Sequence, residues 1–239
     1  MILKQDFRIN LSMLSKNNHI SNKSFLTILQ DIAEMHSASI GAGVTNIYET
    51  HFSWALLNWK VKILKRPKYG DVITVNTWSR YNTKLYSYRD FEVYDSDGNV
   101  IAIATSKWIL IDAYNHKIAR ITDDLISKYK PEDRSVFGIV ELEKMREPLH
   151  FESSTPYIIR KSDIDINNHV NNLCYMDMAL EAFPGGKNDF DSFNEFEILY
   201  KHQIKFDDEI VLKYSVEDGK NIITIKDAQD RLHSIITLF

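Results

Sequence analysis

Cysteine, proline and glycine are scarce in this chain of 239 residues, which contains one Cys, five Pro and eight Gly. The single cysteine, Cys174, cannot form an internal disulfide, so the sequence does not fit the disulfide-rich secreted classes. No group of Cys and His residues has the spacing of a zinc site, and we expect no structural metal. Collagen-like and low-complexity classes are excluded because they need far more glycine and proline. These absences favour an ordinary globular protein in a reducing compartment.

Long apolar runs and an excess of positive charge are also missing. Lys and Arg number 29 against 33 Asp and Glu, a net charge of -4, so the broad basic surface of nucleic-acid-binding proteins is not expected. No apolar run approaches the roughly 18 residues of a membrane-spanning helix. Asp6 lies where a secretory signal peptide needs an apolar stretch. We therefore expect a cytoplasmic protein without a membrane span.

Hydrophobic residues make up 44% of the sequence, and their spacing predicts the secondary structure. Over residues 21–40, apolar side chains recur every three or four positions, which is the period of a helix with one buried face. Ser21 or Asn22 is a suitable N-cap, and Gly41 and Gly43 end the pattern. His36 lies on the apolar face, where we expect a core histidine with a local polar partner.

Four stretches rich in Val, Ile, Thr, Trp and Tyr follow this helix and predict long strands. The same order then returns as an extended segment at 156–160, a helix at 169–183 and four further strands. The predicted strands are residues 52–64, 71–81, 85–94 and 99–112 in the first half, and 193–204, 209–216, 221–226 and 231–238 in the second.

This repetition predicts an internal duplication. We assign residues 1–128 and 149–239 to the two domains and residues 129–148 to a linker, because the intervening segment is charged and carries Pro131 and Pro148. A helix followed by an antiparallel meander buries its apolar face when the sheet curls around it, and two such units can join their sheets side by side. The predicted fold class is therefore α+β.

The densest polar cluster, residues 160–172, lies between an extended segment and the second predicted helix. Asp165, Asn167 and His169 alternate, so they would project to one side of an extended chain. A helix start at His169 would also offer free backbone amides to a negative charge. From the residues alone, both a helix cap rich in Asp and Asn and a reaction site remain open.

A family resemblance distinguishes these alternatives. Residues 165–172, DINNHVNN, resemble the D-x-N-x-H-V-N-N signature of the acyl-ACP thioesterases, which release fatty acids from acyl carrier protein. Residues 29–31, 67–78 and 104–111 resemble further segments of that family in the same order, so the likeness covers nearly the whole chain. The resemblance implies a double hotdog, with the acyl-chain pocket in the N-terminal half and catalysis in the C-terminal half. It implies no metal ion and no organic cofactor.

Carried over to this sequence, the family's active site falls on Asp165, Asn167, His169 and Gln203. The chain departs from the family at two positions, because Gln203 stands where glutamate is usual and Ile204 where many plant members have cysteine. Ile204 removes a cysteine nucleophile there, and Gln203 can orient a water molecule but cannot accept its proton. A buried thiol, rather than a nucleophile, is the expectation for Cys174.

Thioester hydrolysis needs donors for the developing oxyanion and a base for water. We expect the first-turn amides near His169 and the Asn167 side chain to be those donors. We also expect His169 to be the base, with Asp165 orienting its imidazole. Asp165 acting directly as base or nucleophile remains an alternative.

The resemblance makes acyl carrier protein the expected partner, and that protein is acidic. A basic patch at Lys65 and Arg66 is therefore a candidate docking surface, although such runs are usually solvated faces. Two alternative functions remain, a hotdog thioesterase acting on acyl-CoA and a non-catalytic acyl-binding module. A further homodimer is also open, although two fused hotdogs already satisfy the pairing that single ones obtain by dimerising.

Overall fold

The computed structural model describes the backbone of residues 1–239 and every side chain except that of Asn188. The helices are α1 (Asn22–Ser39), α2 (Ile47–Thr50), α3 (Asp123–Tyr129), α4 (Cys174–Ala182) and α5 (Lys187–Phe190). The strands are β1 (Leu3–Arg8), β2 (Phe52–Ile63), β3 (Val72–Asn82), β4 (Ser87–Tyr94), β5 (Val100–Asp112), β6 (Lys117–Ala119), β7 (Ser153–Tyr157), β8 (Glu195–Tyr200), β9 (Ile210–Glu217), β10 (Lys220–Asp227) and β11 (Leu232–Leu238).

All of these strands belong to one antiparallel sheet. Its order is β1-β3-β4-β5-β2-β8-β11-β10-β9-β7, with β6 paired to the end of β5. Read from its outer edge inward, the first half of the sheet is β1-β3-β4-β5-β2 and the second half is β7-β9-β10-β11-β8. Strands that come in the same order along the chain therefore occupy the same place in each half. The predicted α+β fold and duplication are confirmed, since each half contributes one five-stranded unit and the halves meet where β2 pairs with β8.

The helix α1 forms because its apolar positions face the sheet and its first turn is capped. The Ser21 side chain accepts a hydrogen bond from the Ser24 amide at 3.1 Å, as the sequence predicts. Phe25, Leu29 and Ile32 are all buried against the sheet, and burying each such side chain contributes about 1.5–3 kcal/mol. The helix thereby packs against β1 and β3 of the N-terminal half, and α4 packs against the equivalent strands β7 and β9 of the C-terminal half.

The second helix differs from the prediction, because α4 begins at Cys174 and not at His169. An antiparallel bridge between Ile164 and Val170 holds the intervening residues in a tight turn instead. The Asn171 side chain then accepts a hydrogen bond from the Leu173 amide at 2.9 Å, just before the helix starts. Local side-chain hydrogen bonds of this kind compete with helix formation.

The sheet also corrects two strand predictions. β8 ends at Tyr200, so Gln203 and Ile204 lie in the loop that follows the strand and not within it. β1 was absent from the prediction because its residues alternate poorly and are mostly exposed, as suits the edge strand that it is.

Two single-residue expectations are confirmed. Cys174 is buried, and burial raises the pKa of its thiol, which disfavours the nucleophilic thiolate. His36 is fully buried, and its Nδ1 lies 2.8 Å from Nη1 of Arg89. Among the described helices, none combines the length and the apolar character needed to cross a membrane.

Candidate active site

Three of the four residues predicted to form the site, Asp165, Asn167 and His169, lie in a closed turn between β7 and α4. The Asp165 amide donates to the His169 carbonyl at 2.8 Å, and the Asn168 amide donates to the Asp165 carbonyl at 3.1 Å. Asn168 has a φ of 59°, a left-handed conformation that asparagine tolerates better than most residues. The structure therefore brings Asp165, Asn167 and His169 together by turning the chain, whereas the sequence predicted an extended segment.

The Asp165 carboxylate organises this turn. Its Oδ1 accepts hydrogen bonds from the backbone amides of Asn167 at 2.8 Å and His169 at 3.3 Å. Its Oδ2 lies 3.4 Å from Nδ2 of the Asn167 side chain. The expected pairing with the His169 imidazole is wrong in this structure, because the carboxylate contacts the backbone of His169. Asp165 orients that imidazole only through the backbone that carries it.

The His169 side chain is half-buried, and its Nδ1 is enclosed without a hydrogen-bond partner among the described groups. A buried polar nitrogen without a partner is costly, so its place in a native fold needs an explanation. The other ring nitrogen, Nε2, is therefore the one available to water. Nε2 is thus the ring atom that a general base would use here.

Gln203 is brought next to the turn by the chain that leaves β8. The Val170 amide donates to the Ile204 carbonyl at 2.8 Å, which joins the two segments directly. The Tyr200 hydroxyl, at the end of β8, donates to the Asn172 carbonyl at 3.1 Å. Gln203 itself is exposed, whereas Ile204 is fully buried. Ile204 therefore anchors the segment beside Val170, and Gln203, the residue before it, is exposed to solvent.

Asp163 supports the turn and was missed by the sequence analysis. It is 1% exposed, and its carboxylate accepts hydrogen bonds from the backbone amide of Arg160 at 2.9 Å and from the guanidinium of the same residue. The Asn171 amide donates to the Asp163 carbonyl at 2.8 Å. An acid two residues before the family motif, in a segment already rich in Asp, gave no distinct signal.

The expected source of oxyanion donors also needs correction. Because α4 starts at Cys174, its first-turn amides are not those near His169. The amides of Asn168 and His169 already donate to Asp165. The remaining candidates are the side-chain amides of Asn167 and Gln203, which lie on the two segments that meet here.

Both residues of the candidate docking patch, Lys65 and Arg66, have partners within the protein. Lys65 pairs with Asp95 at 2.9 Å, and Arg66 donates hydrogen bonds to four acceptors of the protein. Both residues lie just beyond the end of β2, whereas Gln203 follows the end of the antiparallel strand β8. They therefore lie at the opposite end of this strand pair from the candidate site.

Two surface clefts lie away from Asp165 and His169. The smaller, of about 90 Å³, lies beside Lys65 and Asp95. The larger, of about 260 Å³, is lined by Ser15, Asn17, His19, Leu64, Arg66, Asp191, Ser192 and Asn194.

Both halves of the chain match models of one known family. Residues 1–129 match the model of the acyl-ACP thioesterase N-terminal domain, and residues 146–236 match that of the C-terminal domain. Oleoyl-acyl carrier protein thioesterase 1 of Arabidopsis thaliana is 25% identical over 86% of this chain and 61% of its own length. Oleoyl-acyl carrier protein thioesterase 2 of the same plant is 25% identical over 93% of this chain and 65% of its own length. The chain therefore spans about three fifths of the length of these chloroplastic relatives.

Solved structures share the fold. An acyl-ACP thioesterase from Bacteroides thetaiotaomicron superposes with a TM-score of 0.86 at 22% identity, covering 100% of this chain and 97% of the other. A 12:0-ACP thioesterase from Umbellularia californica gives a TM-score of 0.82 at 19% identity, covering 99% and 96% of the two chains. These matches agree with the double hotdog that the sequence predicts.

Proposed function

The chain belongs to the acyl-ACP thioesterase family, and on that premise we propose that it hydrolyses the thioester of a fatty acyl-acyl carrier protein. The products are a free fatty acid and the carrier protein with its thiol, so the reaction ends elongation of the acyl chain. One observation carries the proposal. The turn at residues 165–169 gathers Asp165, Asn167 and His169 beside the segment that holds Gln203.

His169 is the base in this mechanism. Water attacks the thioester carbonyl while Nε2 of His169 accepts its proton, and the same proton then passes to the leaving thiolate. Asp165 fixes the turn that carries the imidazole, since its Oδ1 is occupied by two backbone amides. The enclosed Nδ1 supports this division between the ring nitrogens, because it leaves Nε2 as the accessible one.

Asn167 and Gln203 position the carbonyl and the water. Their side-chain amides can donate to the oxygen that becomes negatively charged when water adds to the thioester. Asn167 has a second N–H for this purpose, because only one points toward Asp165. Gln203 is exposed beside the turn and has both N–H groups to offer.

The N-terminal half is the proposed binding site for the acyl chain. The apolar face of α1, with Phe25, Leu29 and Ile32, provides a continuous hydrophobic surface against the sheet. Burial of an acyl chain in this half gains about 0.8 kcal/mol for each methylene removed from water, less the cost of displacing the side chains already packed there.

The acidic carrier protein is proposed to dock at the end of the sheet where β8 leaves. Lys201 and Lys205 flank Gln203, and both are exposed. Opposite charges on two partners mainly accelerate their encounter. These lysines replace Lys65 and Arg66 as the proposed contact, because they lie on the same segment as the candidate site.

Location and assembly complete the proposal. A reducing compartment such as the cytoplasm suits a chain whose single cysteine is buried and free. A homodimer stays a prediction, and sedimentation of the purified protein measures it directly.

The decisive experiment compares matched substrates. Purified protein is incubated with a fatty acyl group on carrier protein and with the same group on CoA, and thiol release and free fatty acid are measured. We expect much faster release from the carrier protein. Equal rates would assign the enzyme to acyl-CoA, and binding without thiol release would contradict hydrolysis altogether.

A further inference from the structure

The N-terminal half contains a second copy of the active-site turn. Residues 15–22 read SKNNHISN, and residues 165–172 read DINNHVNN. Both segments follow a 3-10 turn, and both are closed by an antiparallel bridge, Leu14 with Ile20 and Ile164 with Val170.

The two turns share their hydrogen bonds as well as their sequence. The Ser15 amide donates to the His19 carbonyl at 2.7 Å, and the Asn18 amide donates to the Ser15 carbonyl at 3.2 Å. Asn18 has a φ of 59°, the same value as Asn168. Ser15, Asn17 and His19 therefore occupy the positions that Asp165, Asn167 and His169 occupy in the other half.

The fourth position is occupied by Arg66. The Ile20 amide donates to the Pro67 carbonyl at 3.0 Å, as the Val170 amide donates to the Ile204 carbonyl. Pro67 is thus the equivalent of Ile204, and the preceding residue, Arg66, is the equivalent of Gln203. The N-terminal copy replaces a carboxylate with a hydroxyl and a neutral amide with a guanidinium, so the net charge of these four positions is more positive by two units.

This copy lines the larger cleft, of about 260 Å³. Arg66 uses four of its five N–H groups on Ile20, Asn22, Phe193 and Asn194, which leaves one Nη1 hydrogen for a ligand. Burial lowers the pKa of Arg66 to about 10, so the guanidinium stays charged at neutral pH.

Further groups of the cleft lack partners. The side-chain amide of Asn17 and the imidazole of His19 make no hydrogen bond to the described groups, and both line the cleft. Hydrogen-bond donors thus reach the cleft from two segments of the chain, the N-terminal turn and the segment that follows β2.

Asp191 adds an independent observation. Asp191 lines the cleft, and the whole residue is 7% exposed. Its Oδ1 accepts a hydrogen bond from the Asn22 amide at 2.9 Å. Its Oδ2 is buried and has no partner among the described groups. Burial raises the pKa of this carboxyl, which favours sharing a proton with a ligand. A protonated phosphate group has the chemistry to accept a hydrogen bond from Arg66 and to share its proton with the Asp191 carboxyl.

We propose that the cleft lined by Ser15, Asn17, His19, Arg66 and Asp191 is a second, non-hydrolytic site that binds a phosphate group. Without a carboxylate at position 15, it lacks the group that organises the turn in the other half. The guanidinium of Arg66 and the amide of Asn17 donate to the phosphate oxygens, as is typical of phosphate recognition by arginine.

The test uses Ser15→Asp, because an aspartate already occupies the equivalent backbone position in the other half. The melting temperature is measured against inorganic phosphate, with sodium chloride holding the ionic strength constant. We expect phosphate to raise the melting temperature with millimolar half-saturation, and at least tenfold weaker binding in the variant. Gln229→Glu adds the same charge to an exposed turn of the other half and should bind as the unchanged protein does. Equal binding by Ser15→Asp would overturn the proposal.

A second measurement locates the ligand. The ring signals of His19, identified by their loss in His19→Gln, should shift on addition of phosphate in a proton–carbon correlation spectrum. Shifts confined to His169 would overturn the assignment. Binding of dimethyl phosphate as well would support the site and extend it to phosphodiesters, whereas binding of inorganic phosphate alone would support it for free phosphate or monoesters. Acetate that binds as tightly as phosphate would contradict the choice of a phosphate group.

Discussion

Lys60 and Glu197 occupy equivalent positions in the two halves and form an ion pair with each other, with Nζ and Oε1 2.7 Å apart. Lys60 lies seven residues before Pro67, and Glu197 lies seven residues before Ile204. Because Pro67 and Ile204 are equivalent, Lys60 and Glu197 are equivalent too. They are also direct cross-strand partners where β2 pairs with β8. A residue that pairs with its own equivalent marks a pseudo-twofold axis, which therefore passes between these two side chains.

Exchange of this ion pair should be tolerated. Lys60→Glu alone places two glutamates opposite each other, and we expect it to lower the free energy of unfolding by about 1 kcal/mol. Adding Glu197→Lys restores an opposite pair and should recover most of that loss. Urea unfolding of the two single variants and the double variant measures the coupling. A double variant with the summed loss of both singles would contradict the inferred interaction.

The duplicated turn provides a matched control for catalysis. His169→Ala removes the proposed base, and we expect thioester hydrolysis to fall at least about 10²-fold, the lower end of the range for acid–base catalysis. His19→Ala removes the equivalent imidazole of the other half and should leave the rate within about twofold. Circular dichroism spectra of both variants check the fold. Comparable losses in the two variants would exclude His169 as the base.

Gln203 is expected to act on the transition state. Gln203→Ala removes an amide that donates to the oxyanion, and loss of one such donor costs about 10²–10³ in turnover. The loss should appear in kcat with little change in KM, because the interaction strengthens only as negative charge develops. Asp207→Asn, on the same exposed segment, serves as the control for kcat. An unchanged kcat for Gln203→Ala would remove this residue from the mechanism.

Docking of the carrier protein should depend on the lysines near Gln203. We expect Lys201→Glu with Lys205→Glu to lower kcat/KM for acyl carrier protein substrates severalfold at low salt and less at high salt. Lys65→Glu lies at the opposite end of the β2–β8 pair and should have little effect. Initial rates between 20 and roughly 300 mM salt separate these outcomes. If Lys65→Glu were the more damaging change, the proposed surface would be wrong.

The buried His36 predicts how stability depends on pH. Burial lowers its pKa to about 3, with the neighbouring positive charge of Arg89 contributing in the same direction. The unfolded chain therefore binds this proton at a higher pH than the native protein. As the pH is lowered from about 6.5 to 3, His36 should reduce the free energy of unfolding by up to about 1.4 kcal/mol per pH unit. Above about pH 6.5, His36 should make no contribution to the pH dependence of stability.

His36→Gln tests this dependence, because an amide oxygen can still accept a hydrogen bond from Arg89 but does not titrate. Denaturant unfolding at pH 7, 5.5 and 4.5 should show a flatter profile for the variant than for the unchanged chain. Parallel profiles would mean that His36 does not contribute to the pH dependence.

The regular elements could be predicted because their signals are local. The apolar spacing of α1 and its Ser21 cap appear directly in the sequence, as does the alternation of long strands. The start of α4 could not be predicted from these signals, because the bridge between Ile164 and Val170 extends the turn beyond the local helical pattern. Propensity is a weak guide where tertiary hydrogen bonds determine the boundary.

The site was predictable only in part. Asp165, Asn167 and His169 came from a family motif, and the structure brings them together in a manner the motif does not specify. The second turn could have been found from the repeated Asn-Asn-His at residues 17–19 and 167–169. The equivalence of Arg66 and Gln203 could not, because these residues share no chemistry and only the backbone hydrogen bonds of their neighbours relate them.

Joining both halves in one chain has a consequence for how this architecture can change. In a symmetric dimer of single units, every substitution appears in both turns at once, so neither can lose its acid without the other losing it too. Here Ser15 and Asp165 are encoded separately within one chain. The pseudo-twofold axis that relates them therefore does not require the two residues to be identical. The two ends of the β2–β8 pair can therefore acquire different chemistry while the shared sheet stays the same.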